Sequence, residues 1–236
     1  MRIPETYWVG TDVRELYRMR HLLPNRFVLK PNHSSGRFRI LDSSEEVVDW
    51  DDLIAAGDRW VKRDEEELVY GHYGYKLARH LLIAEERVGG GPPPATFRAY
   101  VANGKVLLCS YTFGTIHPDN PVPRLSFRFD GELNRVHGEV YGNAAAPSDR
   151  CRIEALSQRE KRQLLDTVLA LGKPLEQIRI DLYVEESVWF GELTAYNSGG
   201  LAKLPPPYTE PVAREWALPD LSKPEPYEAD WLALIQ

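Results

Sequence analysis

The chain reads as an α+β protein built on antiparallel strands. Three observations predict this: an Asn-Gly hairpin near residue 103, a second alternating strand pair over 178–195, and one long capped helix between them. With 236 residues, one large domain or two small lobes can be filled. Hydrophobic residues at 43% and charged residues at 27% exclude a mainly disordered or collagen-like chain. The net charge of −6 argues against a nucleic-acid-coating surface, so no nucleic-acid partner is expected.

Phe27–Lys30 reads as a short strand, Pro31–Gly36 as a polar loop, and Phe38–Leu41 as a second strand. Residues 45–62 read as a weak helix, and Arg14, Arg18 and Arg20 form a short basic run that reads as a solvated helix face. Asp64–Glu67 is expected on the surface. Leu81–Ala84 is a continuous apolar run ending at Glu85-Glu86, as a buried strand would be. Gly89–Pro94 marks the best internal boundary. Thr96–Val101 and Lys105–Tyr111 flank Asn103-Gly104, the preferred pair for a two-residue turn, which sets Arg98 opposite Cys109. Residues 124–130 suit a further strand.

Ser157-Gln158-Arg159-Glu160 has the form of a capping box. Leu164, Leu165, Val168, Leu169 and Leu171 follow as an apolar stripe, and Gly172 and Pro174 stop the helix. Seven of the 18 prolines fall in 205–236, a tail in which Trp216 and Trp231 suggest packing on the body. Cys109 and Cys151 form no metal-binding spacing. Without a signal-like N-terminus or an apolar run of about 20 residues, the expected location is cytoplasmic, with no membrane span.

Ile178, Ile180, Leu182 and Val184 alternate with Arg179, Asp181 and Tyr183. Trp189, Leu193 and Ala195 alternate with Phe190, Glu192 and Thr194. Folding back around 186–187 places Asp181 opposite Glu192 and Arg179 opposite Thr194. Facing carboxylates repel. Either a divalent cation or a base such as Arg179 must offset the repulsion, and hard oxygen ligands suit magnesium. Lys30, at the base of the Asn32–Gly36 loop, suits either an anion-binding loop or a plain surface hairpin.

Together FVLKPNHSSG (27–36), LLIAEERV (81–88), FRAYVANGKV (97–106) and IRIDLYVEESVWFGELTAYNSGGL (178–201) resemble the ATP-grasp superfamily, more narrowly its TupA-like branch associated with teichuronopeptide and polysaccharide biosynthesis. The resemblance implies two α+β lobes with antiparallel sheets clasping ATP: a short N-terminal segment over 1–26, a first lobe over 27–90, a second over 91–204 and a Pro-rich tail over 205–236. It implies nucleotide contacts from Lys30, a phosphate-covering loop from His33, Ser34, Ser35 and Gly36, and an adenine and ribose edge at Glu85 and Glu86. Arg98 and Arg179 would neutralise phosphates. Asp181 and Glu192 would hold Mg²⁺, with Thr194 as a weaker oxygen ligand where the superfamily commonly has Asn, or with Asn197 substituting. Asn197–Gly200 would turn near the γ-phosphate or the acceptor.

The implied activity is an ATP- and Mg²⁺-dependent carboxylate–amine ligase acting through an acyl phosphate, in polysaccharide or secondary-metabolite biosynthesis. The alternatives are a phosphotransferase on the same fold and a non-catalytic nucleotide-binding module needing a partner. Only 29 residues precede Lys30, so the family's usual preceding domain is expected to be absent. Acceptor binding would then fall to the N-terminal segment, the tail, a second subunit or another protein. Trp60, Tyr70, Tyr73 and Tyr75 could line an acceptor groove or fill the core.

Overall fold

A computed structural model describes residues 1–34, 36–62, 75, 78–89, 94–113, 116–117, 120–121, 125–136, 151–173, 175–195 and 213–215. The chain forms two main antiparallel sheets with helices packed on them, the α+β class and the two-sheet arrangement that the sequence predicts. Expectations for Ser35, Asp64–Glu67, Tyr70, Tyr73, Pro174, Asn197–Gly200, Trp216 and Trp231 lie outside the described residues.

The first sheet has the order β1 (Thr6–Gly10), β4 (Leu82–Glu86), β2 (Arg26–Pro31), β3 (Arg39–Asp42). Alternation along β2 buries Phe27 and Leu29 on one face and leaves Val28 and Lys30 on the other. Helix α1 (Val13–Arg18) is capped by the Asp12 side chain on Arg14 N–H, and α2 (Trp50–Val61) by Asp49 on Asp51 and Asp52 N–H. Val13 and Leu16 of α1 and Leu53, Ala56 and Trp60 of α2 pack on Phe27, Leu29, Leu41, Leu82 and Ala84. The helices thus cover one face, and Lys30 and Glu85 occupy the other.

The second sheet has the order β11 (Val188–Thr194), β10 (Gln177–Val184), β5 (Thr96–Ala102), β6 (Lys105–Phe113), β9 (Leu125–Asp130). A small ribbon, β7 (Ile116–His117) with β8 (Asn120–Pro121), interrupts the path from β6 to β9. Phe97, Ala99, Cys109, Phe127, Phe129, Ile180 and Leu182 form the buried face. Full burial of such a large apolar side chain contributes about 1.5–3 kcal/mol. A short helix α3 (Arg152–Ala155) and the long α4 (Gln158–Gly172) bring Ile153, Leu164 and Val168 onto it. The capping box is present: Glu160 N–H donates to Ser157 Oγ, and Ser157 N–H donates to Glu160 Oε2 at 2.8 Å.

Two bulges change the expected pairings. Asn103 and Gly104 have φ of 47° and 72°, the left-handed turn that an Asn-Gly pair favours. A register shift at Tyr100/Val101 follows, so Arg98 faces Ser110 rather than Cys109. On β10 and β11 the turn spans three residues, because Val184 pairs with Val188. A shift between Asp181 and Leu182 then restores the expected register: Asp181 faces Glu192 and Arg179 faces Thr194. The extra residue in β11 is Gly191.

That bulge corrects the expected faces of β11. Trp189 lies opposite Tyr183, on the polar face, while Phe190 lies opposite Leu182 and packs on the core. Leu193 is 43% exposed instead of completing an apolar side.

The N-terminal segment reaches both sheets. Arg2 N–H donates to the Val188 carbonyl and Phe190 N–H to the Arg2 carbonyl, each at 2.8 Å, extending the β11 edge. The Arg2 guanidinium lies 4.1 Å from the Trp189 ring centroid. Four residues on, β1 pairs with β4, and Glu86 N–H donates to the Glu5 carbonyl at 2.7 Å. Residues 1–10 therefore strap one sheet to the other.

A Cβ on Gly191 would sit 2.8 Å from the Asp181 carbonyl oxygen, a backbone atom that cannot swing aside. Gly191→Ala should therefore push β11 off its register. The expected cost is about 1–3 kcal/mol, read as a lower urea midpoint at an unchanged m-value.

Candidate functional site

Arg179 and Asp181 are two residues apart on one strand, so both side chains rise from the same face of β10. Arg179 grips Asp181 with two parallel bonds: Nε donates to Oδ1 at 2.7 Å and Nη2 to Oδ2 at 2.9 Å. Arg98, directly opposite on β5, adds Nε to Oδ2 at 3.2 Å. The Asp181 side chain is only 7% exposed. Burial opposes the charge on Arg179; Asp181, helped by Glu192, more than restores it and keeps the guanidinium firmly protonated.

Glu192 continues the row from the edge strand. Its Oε1 lies 3.7 Å from Arg179 Nη2 and accepts from the Thr194 hydroxyl at 2.5 Å. Arg179 therefore stands between the two carboxylates and offsets their repulsion, the second of the two solutions open at the sequence level. Thr194 orients Glu192.

Across from this row, Lys30 forms an ion pair with Glu85 on the open face of the first sheet. Glu86 plays a structural part: its Oε2 accepts from Glu5 N–H at 3.1 Å. Tyr183, two residues beyond Asp181 on the same face, joins the two halves. Burial first, then the charges of Glu85, Asp181 and Glu192, push its hydroxyl up to about 12. One phenol thus senses carboxylates from both sheets. Sequence reasoning gave Tyr183 no role, although its i+2 spacing from Asp181 was the available signal.

His33 does not lie open on the loop. It is 3% exposed, with Nε2 2.7 Å from the Trp60 carbonyl. Trp60 itself belongs to the core. Ser34 and Gly36 remain at the loop's turn, and Gly36 has φ of 74°.

Two buried donors have no hydrogen-bond partner among the described residues: Arg98 Nη1 and Ser34 Oγ. A buried donor left unpaired costs about 1–3 kcal/mol, more when charged. Phosphate oxygens are the acceptors that a guanidinium and a loop hydroxyl suit. The carboxylates also fit magnesium. Asp181 accepts three N–H bonds out of about four lone-pair positions, and Glu192 is 54% exposed. Mg²⁺ characteristically takes one or two carboxylates and completes its shell with phosphates and water. Among the described residues no group of three or more His, Cys, Asp or Glu forms a metal cage.

Cysteine chemistry is disfavoured. Cys109 and Cys151 are buried and unpaired, and burial pushes both thiols up, away from the nucleophilic thiolate. Among the described residues no helix is long and apolar enough to cross a membrane.

No family model matches the chain, and no curated protein matches it. Among solved structures it is similar to D-alanine–D-alanine ligase from Bacillus anthracis complexed with ATP, at 14% identity over 92% of this chain and 58% of that one, with a TM-score of 0.43. It is also similar to L-amino acid ligase from Bacillus licheniformis, at 15% identity over 84% of this chain and 40% of that one, TM-score 0.44. A third is the ATP-grasp ligase PsnB complexed with a precursor variant, Mg and ADP, at 14% identity over 90% and 52%, TM-score 0.43. The chain spans about half the length of these solved proteins.

The two carboxylates should respond differently to neutralisation. Asp181→Asn takes the buried carboxylate away from two poorly exposed guanidinium groups, and is expected to cost about 3–5 kcal/mol in urea unfolding. Glu192→Gln, at an exposed position, should leave the urea midpoint nearly unchanged. The raised Tyr183 hydroxyl predicts a further pH effect. The folded state keeps that proton more tightly than the unfolded state, so its contribution is intact below about pH 10. It is lost as pH rises towards about 12. Tyr183→Phe should flatten the alkaline fall in stability over that window.

Proposed function

We propose that the chain is an ATP-dependent carboxylate–amine ligase of the ATP-grasp superfamily, in its TupA-like branch. Arg98 carries the reading. Its Nε is spent on Asp181, while Nη1 is buried without a hydrogen-bond partner among the described residues, in a row that also holds Glu192. A polyphosphate is the ligand such a row suits.

In this reading Lys30, Arg98 and Arg179 hold phosphate oxygens, and Ser34 and Gly36 belong to the loop that would cover them. Glu85 and Glu86 border the nucleoside side. Asp181 and Glu192, the latter oriented by Thr194, would hold Mg²⁺, which supplies further neutralisation of phosphate charge. Asn197, which the resemblance assigns to the γ-phosphate or acceptor end, falls outside the described residues.

An oxygen of the substrate carboxylate attacks the γ-phosphorus, the bond to the β–γ bridging oxygen breaks, and ADP leaves. The amine nitrogen of the second substrate then attacks the acyl carbon. The acyl C–O bond breaks, phosphate departs, and the amine gives up a proton. The chain's own work is to orient the reactants and neutralise charge. No side-chain nucleophile is needed, in keeping with two buried, protonated cysteines.

The test is release of ADP and phosphate in the presence of ATP and Mg²⁺. Release should require both a carboxylate and an amine, with a product mass equal to their sum less water. Glu192→Gln should lower turnover by about 100-fold or more while remaining folded. A product that gains a phosphate with no amine present would establish phosphotransfer instead. Nucleotide binding without turnover on any acceptor would establish a binding module.

A further inference from the structure

Two chain crossings join the sheets. The first is the covalent path from β4, which ends at Glu86, to β5, which begins at Thr96. The second is the strap. Arg2 bridges to Trp189 on the β11 edge: its N–H donates to the Val188 carbonyl, and its carbonyl accepts from Phe190 N–H. Glu5 meets Glu86 through two bonds. Glu86 N–H donates to the Glu5 carbonyl at 2.7 Å, and Glu5 N–H donates to Glu86 Oε2 at 3.1 Å. Both crossings therefore leave the first sheet at the same residue.

They reach the second sheet at one level, two strands apart. Tyr183 of β10 faces Trp189 of β11 on one side and Thr96 of β5 on the other. Neighbouring strands lie about 4.8 Å apart, so the two landing points are about 10 Å from each other. Asp181 is two residues along β10 from Tyr183, about 7 Å beyond that line. Glu192 and Arg98 face it from the flanking strands. A single crossing would let one sheet swivel on the other. Two crossings that land on one line leave rocking about that line as the soft motion.

The strap is short. Only Ile3 and Pro4 separate its anchors, and three residue steps of about 3.8 Å span at most about 11 Å. Arg2 therefore stays on β11 only while β4 stays near. Pro4 is buried and its ring fixes φ, while Ile3 is 71% exposed. The Arg2 guanidinium, 4.1 Å from the Trp189 ring centroid, adds a side-chain hold to the two backbone bonds. Tyr183, at the middle of the line, feels Glu85 of the first sheet together with Asp181 and Glu192 of the second.

We propose that Arg2 is a positioning residue for the nucleotide site: its docking on β11 turns a one-point connection into a two-point hinge and fixes the Glu192–Asp181–Arg98 row relative to Lys30 and Glu85. The proposal rests on the nucleotide-binding reading above. A ligand that contacts both sheets prefers the docked strap. By reciprocity, it tightens the strap as it binds.

The experiment is calorimetry of the full chain with Mg²⁺ and the non-hydrolysable analogue AMPPNP, alongside urea unfolding. A Gly-Gly insertion between Ile3 and Pro4 keeps both anchors and lengthens the tether. It should leave the urea midpoint nearly unchanged and weaken AMPPNP binding about fivefold or more. Arg2→Ala should weaken binding in the same direction, and Arg2→Lys, which keeps a cation over Trp189, should recover most of it. A strap that only stabilises the fold would lower the urea midpoint in Arg2→Ala and leave AMPPNP affinity equal across the set. That result overturns the positioning role and leaves the nucleotide site standing.

A second measurement needs no variant. Bound AMPPNP should slow hydrogen exchange at the Phe190 amide of the wild type, which donates to Arg2, about fivefold or more. Exchange there that ignores bound AMPPNP overturns the positioning role alone. Failure of AMPPNP to bind a wild type whose Phe190 amide is protected overturns the nucleotide reading and, with it, the role of Arg2.

Discussion

The second sheet is organised around one buried carboxylate. Asp181 sits near the middle of β10 with strands on both sides, where an isolated charge would be costly. Three N–H bonds from Arg179 and Arg98 make it tolerable. The constraint is reciprocal, because two guanidinium groups are themselves largely removed from water and depend on Asp181 to stay there. Arg98 must therefore come from β5 directly opposite, and Arg179 from two residues earlier on the same strand. Any slip of β5 against β10 would carry Arg98 away from the other two. The geometry is held by the chain's own groups, as charge stabilisation would require of a site.

The first sheet meets this arrangement with charges of its own. Lys30 and Glu85 face the same space, and Tyr183 senses Glu85 as well as Asp181. The strap formed by residues 1–10 has a physical reason on each side. At β11 it pairs an edge strand that would otherwise expose unpaired backbone groups. At β4 it pairs the strand carrying both Glu85 and Glu86. The backbone that seals one sheet's edge thus also limits how far the other sheet can move from it.

Local signals in the sequence read correctly where local chemistry decides. Asn103-Gly104 made its left-handed turn and Ser157–Glu160 its capping box because each depends on a few adjacent residues. The facing of Asp181 and Glu192 was legible for a less direct reason. The turn was one residue longer than assumed, and the Gly191 bulge took up the difference. The same bulge made Trp189 illegible, since alternation is lost wherever a strand gains an unpaired residue. The strand at Thr6–Gly10 gave no alternation to read, because it is an edge strand stabilised by a partner over 70 residues away. The burial of His33 was not legible for a similar reason. Its burial depends on a helix end and on His80, neither of which a loop motif encodes.

Facing carboxylates alone are a weak argument for a metal. The repulsion that seemed to demand a cation is already met by Arg179, whose Nη2 reaches towards Glu192 while its fork holds Asp181. What argues for magnesium is the unused oxygen capacity. Asp181 Oδ1 accepts one bond where Oδ2 accepts two, and Glu192 Oε2 has no hydrogen bond among the described residues. The division of labour follows from depth. Asp181 is buried and committed to holding the arginines, so it fixes position. Glu192 is exposed and oriented only by the short bond from Thr194, so it can change partners. An ion held between a rigid and an adaptable carboxylate could be accepted without disturbing the arginines that keep the sheet together.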